Sequence, residues 1–347
     1  MPHTNLAFIG FGNVARSLVR LLERKSGLLE ENYDLTYSVT GIATGKHGFA
    51  VNPNGLNVNQ ALSLVESGQS ISPLTNYHLP VTDSLSVIQH SSANVMFENS
   101  PVNHKTGQPA IDHVRAALEL GMHAITANKG TVVHGYRELA ALAKSKGRKF
   151  LFEATVLGGT PVFSMFRETM PAAQLISFQG IINSTTNIIL SRMERGESFD
   201  AAVKYCQSIG IAETDPSADV DGWDAAIKIA ALVTVLMDTP MAPQQVERKG
   251  IREITPGMVA QAKAEGKRWK LVASAAREGD SVRARVAPER VEPSSPLYNM
   301  ENSTSGLSFR TDVLGDLSII ETDREGIVAG PDTTAYALLA DFVNAVS

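Results

Sequence analysis

A glycine-rich turn near the N-terminus constrains the fold of this chain more than any other feature of its sequence. The segment GFGNVA, residues 10–15, fits the pattern GxGxxG/A and directly follows the apolar run at residues 6–9. Apolar residues then recur at helical spacing over residues 14–22. In such a strand–turn–helix unit the first glycine permits a tight turn, the second lets the backbone approach a pyrophosphate, and a small third residue lets helix and sheet pack. The pattern predicts a dinucleotide-binding domain, which we place at residues 1–154.

Strand-like and helix-like segments alternate through this first domain. The expected strands are residues 35–43, 94–98 and 123–126, and the expected helices are residues 109–120 and 136–146. Alternation of this kind is typical of a parallel sheet with helices on both faces. We therefore expect an α/β protein whose first domain is a Rossmann-type, doubly wound parallel sheet.

The strict alternation of strand-like and helix-like segments ends after residue 154. Residues 281–286, SVRARV, alternate polar and apolar side chains, as expected of an antiparallel strand with one wet face. We therefore expect a second domain of the α+β type at residues 155–310, with residues 288–296 as its most linker-like stretch. The segment 311–347 ends in an apolar helical stripe over residues 332–346, which we expect to return to the first domain.

Composition and charge argue against several classes of protein. The single cysteine, Cys206, allows no internal disulfide and no thiolate metal cluster, which fits a reducing cytoplasm. The net charge of −5 without a Lys/Arg cluster favours neither a nucleic acid nor an anionic membrane as partner. We recognise no signal peptide and no segment long enough to span a bilayer. We expect a cytoplasmic protein that acts on a small molecule.

The end of the second expected strand bears on which dinucleotide binds. NAD-selective folds usually carry an acidic residue there, which bonds the ribose 2′-hydroxyl. Residues 41–47, GIATGKH, contain no acid, and Lys46 or His47 could face a 2′-phosphate instead. This favours NADP and leaves NAD possible. An ordinary solvated loop lysine explains Lys46 nearly as well.

Two further segments carry candidate chemistry. Lys129 ends the sequence TANK directly after an expected strand, at the edge where open α/β sheets bind ligands. Residues 210–228, GIAETDPSADVDGWDAAIK, hold five carboxylates ahead of Lys228. Asp224 and Lys228 are four residues apart and share a helix face, and apolar neighbours should partly desolvate the lysine. The alternative is a surface acidic loop with an ion-paired, snorkelling lysine.

These features fit the oxidation of an alcohol. A hydroxyl must lose its proton when its carbon loses a hydride, so a positioned base is needed, and a nearby cation stabilises the developing alkoxide. Carboxylates in the loop would bind a substrate ammonium group. A zinc mechanism is disfavoured because one cysteine and scattered histidines give no ligand spacing.

The chain resembles the homoserine dehydrogenase family over nearly its whole length. Residues 210–228 look like the family signature G-x-x-E-x-D-P-x-x-D-[LIV]-x-G-x-D-x-x-x-K, and residues 126–129, 153–161 and 183–187 are also similar to family motifs. The resemblance implies conversion of L-homoserine to L-aspartate 4-semialdehyde with NAD(P)+, run physiologically as the reduction, in threonine and methionine biosynthesis. It also implies a homodimer formed through the second domain. Many relatives continue beyond the part that resembles this chain into a ligand-sensing regulatory domain, so we expect no threonine feedback through such a domain here.

The resemblance also assigns roles to individual residues. It implies that Lys228 is the acid–base residue, that Asp224 orients it, and that Lys129 assists beside the nicotinamide. Glu213 and Asp219 would bind the amino-acid end of the substrate. The cofactor would be lined by Gly10, Phe11, Gly12, Asn13, Val14, Ser100 and Lys129, and a monovalent cation, usually sodium, would be held by Glu153, Val156, Gly158 and Thr160. This scheme requires Lys129 and Lys228 to converge on one pocket.

Three departures from the family pattern keep alternatives open. Residues 330–334, GPDTT, replace a longer glycine-rich turn, Cys206 replaces an alanine, and residues 183–185 read NST where NGT is usual. An enzyme of the same fold that acts on a different small hydroxy-amino acid therefore remains one alternative. The other is a nucleotide-sensing protein without turnover, which the presence of both Lys129 and Lys228 disfavours because a sensor needs neither for proton transfer.

Overall fold

The structure, a computed structural model, describes residues 3–78, 80–322 and 330–347. The chain forms two compact units, Met1–Gly159 with Pro331–Ser347, and Thr160–Gly330. The strands are β1 (His3–Ile9), β2 (Thr36–Ala43), β3 (Phe49–Val51), β4 (Val95–Glu98), β5 (His123–Thr126), β6 (Phe150–Leu151), β7 (Leu175–Ile181), β8 (Glu247–Arg248), β9 (Arg268–Glu278), β10 (Ser281–Val291), β11 (Ser305–Thr311) and β12 (Gly315–Glu321). The helices are α1 (Asn13–Tyr33), α2 (Val58–Glu66), α3 (Ser84–His90), α4 (Ala110–Glu119), α5 (Lys129–Ser145), α6 (Val162–Ser164), α7 (Ser184–Met193), α8 (Phe199–Ser208), α9 (Ser217–Val220), α10 (Trp223–Leu236), α11 (Pro256–Ala264) and α12 (Pro331–Val346).

The first unit is built on a six-stranded sheet in the order β3-β2-β1-β4-β5-β6. Strands β2, β1, β4, β5 and β6 run parallel, and β3 pairs antiparallel with β2. The order reverses between β1 and β4, which is the switch point where open α/β sheets bind ligands beside the strand ends. The expectation of a Rossmann-type parallel sheet is confirmed.

Helices α1 and α12 share one apolar core in this unit. Buried side chains of α1, among them Leu18 and Leu22, pack in the same cluster as Leu338 and Phe342 of α12. Residues at this spacing lie on one face of each helix, so burying that face removes a continuous apolar stripe from water. The C-terminal helix therefore belongs to the first unit, as its stripe predicted.

The second unit contains a sheet in the order β12-β11-β7-β9-β10-β8. Its pairs are antiparallel except for β8, which runs parallel to β10. The α+β expectation is confirmed. The unit extends beyond the expected limit at residue 310, because β12 pairs with β11 along its whole length.

The expected linker at residues 288–296 is wrong in its first half. Residues 288–291 belong to β10, which pairs with β9 in continuous register through Val291. A proline is tolerated at position 288 because β8 borders β10 only at residues 285–286, so this part of β10 is an edge strand. Within the described residues no helix is long and apolar enough to cross a membrane.

A fully buried lysine in the second unit gives a pH-dependent stability. Lys270 Nζ donates to Asn187 Oδ1 at 3.0 Å and to the Met300 carbonyl at 2.5 Å. Burial lowers the pKa of Lys270 from 10.5 to about 8, with the Glu194 charge opposing that change. Between these two values the unfolded chain binds a proton that the folded chain does not, so Lys270 makes the protein more stable as the pH rises from about 8 to 10.5.

Between pH 8 and 10.5 we expect the free energy of unfolding to rise by up to about 3 kcal/mol less in Lys270→Met than in the wild type. Urea unfolding at several pH values between pH 7 and 10.5 would measure it. Lys249→Met, at a lysine whose side chain is exposed, is the control and should leave the slope unchanged. Equal slopes for wild type and Lys270→Met would contradict the prediction.

Candidate functional site

The glycine turn between β1 and α1 has the shape of a phosphate-binding loop. Gly10 has φ +88°, and a Cβ built on it would lie 2.4 Å from the Asn99 carbonyl oxygen. A Cβ built on Gly12 meets no atom within 4 Å, so this face of the turn is open. No side chain caps α1, and its first turn holds no acid. The helix therefore presents its N-terminal N–H groups, which are suited to bind an anion.

The residues around this turn differ in what they can offer a cofactor. Phe11 is buried, and its ring packs edge-on against Phe8 at 5.9 Å between centroids, so its side chain belongs to the core. Asn13 is exposed and accepts a hydrogen bond from Arg16, while Val14 is half-buried. Of the residues expected to line the cofactor, Asn13 and Val14 offer side chains on the surface of the turn, and Phe11 is placed to contribute backbone.

A tight hairpin turn follows β2. The backbone N–H and the hydroxyl of Thr44 both donate to the Gly48 carbonyl, at 3.0 and 2.9 Å. The Thr44 hydroxyl oxygen also accepts the His47 N–H at 2.6 Å. These bonds leave Lys46 exposed at the tip of the hairpin, and residues 41–48 carry no carboxylate.

A buried carboxylate anchors the loop that follows β4. Glu98, fully buried at the end of that strand, accepts hydrogen bonds at Oε1 from the backbone N–H and the hydroxyl of Ser100. His113 Nδ1 lies 3.3 Å from the same oxygen. Sequence reasoning identified Ser100 but missed Glu98, whose acidic side chain at the end of an apolar strand was the available signal.

Lys129 is the first residue of α5, and the expected helix start at residue 136 is wrong by about two turns. The helix begins early because Asn128 caps it, accepting the Gly130 N–H at Oδ1 at 3.0 Å. Asn128 Nδ2 donates to the Ser100 carbonyl, also at 3.0 Å. Asn128 thus joins the segments that carry Ser100 and Lys129 at one edge of the first sheet.

The acidic segment of the second unit forms a connected network around Lys228. Lys228 Nζ lies 2.7 Å from Asp224 Oδ2 and donates to the Ile182 carbonyl at 2.8 Å. Asn183 Nδ2 donates to Asp224 Oδ2 at 3.0 Å and to Asp219 Oδ1 at 2.6 Å. The side chains of Lys228 and Asp224 are only 17% and 21% exposed. The structure therefore brings together three of the residues that the sequence singled out, with Asn183 as a fourth member.

Burial dominates the electrostatics of this network. It raises the pKa of Asp219, and the nearby Asp224 charge raises it further. The hydrogen bond from Asn183 and the charge of Lys228 act in the opposite direction. A carboxylate in such surroundings is suited to an ammonium group, because a bound cation stabilises the charged form that burial disfavours.

The remaining carboxylates of the segment lie elsewhere. Glu213 is exposed, and its backbone carbonyl accepts a hydrogen bond from Gln207 at 3.2 Å. Asp215 accepts the Ser217 N–H at 3.0 Å, and Asp221 pairs with Arg252. The two aspartates therefore hold the shape of the loop, while Glu213 stands outside the network of Lys228.

The residues expected to hold a cation are divided between the units. Glu153 is buried, and its backbone N–H donates to Asp341 Oδ2 of α12 at 2.8 Å. Val156 is buried and Gly158 has φ +53°, both in the first unit, whereas Thr160 opens the second unit and donates its hydroxyl to Glu321 at 2.5 Å. Among the described residues, no three His, Cys, Asp or Glu side chains are grouped to hold a metal.

Comparison with known proteins agrees with this architecture. A family model for homoserine dehydrogenase matches residues 161–343. An NAD(+)-dependent homoserine dehydrogenase from Pseudomonas canavaninivorans is 32% identical over 345 residues, which cover 99% of this chain and 96% of the relative.

Solved structures give the same family. A putative homoserine dehydrogenase from Archaeoglobus fulgidus matches with a TM-score of 0.85 and 29% identity over 98% of each chain. A hyperthermophilic archaeal homoserine dehydrogenase mutant in complex with NADPH matches with a TM-score of 0.81 and 26% identity, over 99% of this chain and 98% of that one. The resemblance seen in the sequence is confirmed, and the chain belongs to the homoserine dehydrogenase family.

Proposed function

We propose that this protein interconverts L-homoserine and L-aspartate 4-semialdehyde with a nicotinamide dinucleotide, physiologically as the reduction, in threonine and methionine biosynthesis. The observation that carries the proposal is the network of Lys228, Asp224, Asn183 and Asp219. It places one amine and two carboxylates together inside the family signature at residues 210–228. An amine that moves a proton and a carboxylate that binds an ammonium group are the two functions that this reaction requires.

Lys228 acts as the acid in the reductive direction. A lysine ammonium has three donors, of which Asp224 and the Ile182 carbonyl take two. The third donates a proton to the aldehyde oxygen as a hydride reaches the carbon, so that the carbonyl becomes the alcohol. In the reverse direction Lys228 Nζ accepts the hydroxyl proton. Asp224 holds the lysine in position, while Asp219 binds the substrate ammonium group.

The residues of the first unit fit a dinucleotide. The open face at Gly12 and the uncapped N-terminus of α1 suit a pyrophosphate, which an added Cβ at Gly12 would exclude. Bound there, the dinucleotide supplies or accepts the hydride. Ser100 and Lys129, joined through Asn128, lie at the strand ends where the nicotinamide half binds in open α/β sheets. Lys129 would lie beside the nicotinamide.

A monovalent cation would complete the proposed site. Glu153 supplies a buried carboxylate, and Val156 and Gly158 supply carbonyl groups in the same unit. Hard oxygen donors of this kind suit sodium better than a transition metal. Activity that is unchanged when sodium is replaced by a large organic cation would argue against this assignment.

An NADPH and NADH oxidation assay with L-aspartate 4-semialdehyde tests the proposed function. We expect saturable oxidation of the dinucleotide and, in reverse, reduction of NAD(P)+ by L-homoserine. L-serine and L-threonine in place of homoserine address the alternative of a different hydroxy-amino acid, because both carry a hydroxyl near the same amino-acid end. Preference for one of these, or no turnover of any, would reject the proposal.

We propose further that Lys46 favours NADP over NAD by facing the 2′-phosphate. Its hairpin holds no carboxylate that would repel this phosphate. Lys46→Glu should then lower the ratio of kcat/KM for NADPH to that for NADH by about five- to thirtyfold, because the charge is reversed. Lys25→Glu, an exposed charge reversal on α1, is the control. An unaltered ratio in Lys46→Glu would mean that Lys46 is a solvated loop residue.

A further inference from the structure

We propose that Asn183 is a positioning residue for the reaction, whose side-chain amide holds the Asp219 and Asp224 carboxylates on either side of one nitrogen. An amide NH2 group has two donors, and here one reaches Asp219 Oδ1 at 2.6 Å and the other Asp224 Oδ2 at 3.0 Å. The proposal rests on the proposed function, because it gives Asn183 a task in the site that binds the amino-acid substrate.

The orientation of the Asn183 amide is fixed by a second set of contacts. Its Oδ1 accepts the backbone N–H and the hydroxyl of Thr186, both at 2.9 Å, and so caps α7. A flipped amide would place its NH2 group against the Thr186 N–H and its oxygen against two carboxylates. Asn183 is therefore a helix cap whose remaining donors face Asp219 and Asp224.

The two hydrogen bonds from the Asn183 amide leave the Asp219 and Asp224 carboxylates with different tasks. Lys228 pairs with Asp224, so that aspartate already has a cationic partner at 2.7 Å. Asp219 accepts a hydrogen bond from Asn183 at 2.6 Å, while the charge of the nearby Asp224 disfavours the charged form of Asp219. The hydrogen bond from Asn183 therefore favours the charged form of Asp219, which we assign to the substrate ammonium group.

Among the residues that the structure describes, the other groups that interact with Asp219 are Asp224 and Lys228 on α10, the Thr185 hydroxyl on α7 and the Cys206 thiol on α8. Burial raises the pKa of Cys206 to about 11, so this thiol is neutral over the working range. Loss of the Asn183 donors would raise the pKa of Asp219, because a hydrogen bond to its charged form is removed.

Asn183→Ser removes the hydrogen bonds to Asp219 and Asp224 while keeping a cap on α7. Serine caps helices about as well as asparagine, but its short hydroxyl cannot donate to two carboxylates. We expect the variant to fold and to bind NADPH as the wild type does. Its KM for aspartate semialdehyde should rise by about ten- to a hundredfold, with a smaller change in kcat. The acid limb of kcat/KM should move to higher pH.

Two further variants complete the design. Asn57→Ser replaces the corresponding cap of α2, where Asn57 accepts the Gln60 N–H at 3.0 Å, and measures what the exchange of caps alone does to stability. Asn183→Asp keeps a cap but puts a third carboxylate in place of the donors, so it should lose more activity than Asn183→Ser. If Asn183→Ser does not fold, the activity of Asn183→Asp tests the proposal instead. A wild-type KM and pH profile in Asn183→Ser, or wild-type activity in Asn183→Asp, would overturn the proposal.

A readout independent of turnover separates this inference from the proposed function. Carbon-13 NMR of proteins labelled at the aspartate side-chain carboxyl, assigned with Asp219→Asn, follows the titration of Asp219 directly. We expect Asp219 to titrate at higher pH in Asn183→Ser than in the wild type. A wild-type protein that does not turn over aspartate semialdehyde would reject the proposed function, whereas an unchanged titration of Asp219 in Asn183→Ser would reject the role of Asn183.

Discussion

We expect Lys228→Ala to lower turnover by about a hundred- to ten-thousandfold, with NADPH affinity close to that of the wild type. The size of the loss follows from removing the group that transfers the proton. Cofactor affinity should persist because the glycine turn lies in the first compact unit, whereas Lys228 lies on α10 of the second. Steady-state kinetics in both directions and NADPH fluorescence titration would measure the two effects.

A matched variant controls for loss of an ion pair. Lys249 pairs with Glu253 four residues further on, at 2.6 Å, but both side chains are exposed. Lys249→Ala therefore removes a pair with the same spacing as Asp224 and Lys228 and should leave kcat and KM unchanged. The assignment of Lys228 as the acid–base residue would not survive wild-type kcat in Lys228→Ala.

The second large effect is expected at the glycine turn, where two neighbouring glycines should respond differently. Gly10→Ala places a Cβ 2.4 Å from the Asn99 carbonyl oxygen and imposes φ +88° on an L-residue. The backbone must move to relieve this contact, so we expect a loss of about 2–5 kcal/mol in the free energy of unfolding. Gly12→Ala meets no protein atom within 4 Å and has φ −79°, so its unfolding free energy should stay within about 1 kcal/mol of wild type.

Cofactor binding distinguishes the two glycines further. The Cβ of Gly12→Ala would occupy the open face that we assign to the pyrophosphate, so NADPH affinity should fall by about ten- to a hundredfold in a protein of normal stability. Urea unfolding and NADPH titration on both variants test the pair. Normal NADPH affinity in Gly12→Ala would remove the phosphate-binding assignment, and normal stability in Gly10→Ala would contradict the close contact with Asn99.

The parts of the fold that could be predicted from sequence are those set by local patterns. The β1–turn–α1 unit follows from two glycines whose spacing suits a turn and from apolar residues at helical spacing. The stripe on α12 predicted its return to the first unit, because a helix with one apolar face must bury it. The pair of Asp224 and Lys228 follows from a separation of four residues on one helix.

The sequence was less informative where a long-range contact decides the structure. The start of α5 at Lys129 depends on Asn128, whose amide also reaches Ser100 across 28 residues. The second unit runs past residue 310, the expected boundary, because β12 pairs with β11. Local propensity says little about either, since the stabilising partner lies on another element.

The sequence by itself determined the class of fold, the glycine turn and the segment that carries Lys228, because each depends on residues close together in the chain. Only the tertiary structure decided which carboxylates accompany that lysine. Asn183 lies 36 residues before Asp219 and 41 before Asp224, yet one amide nitrogen bonds both, while Glu213 of the same acidic segment lies exposed outside the network. Hydrogen bonds require atoms within about 3 Å and in line, a condition that residue types and spacing alone cannot establish.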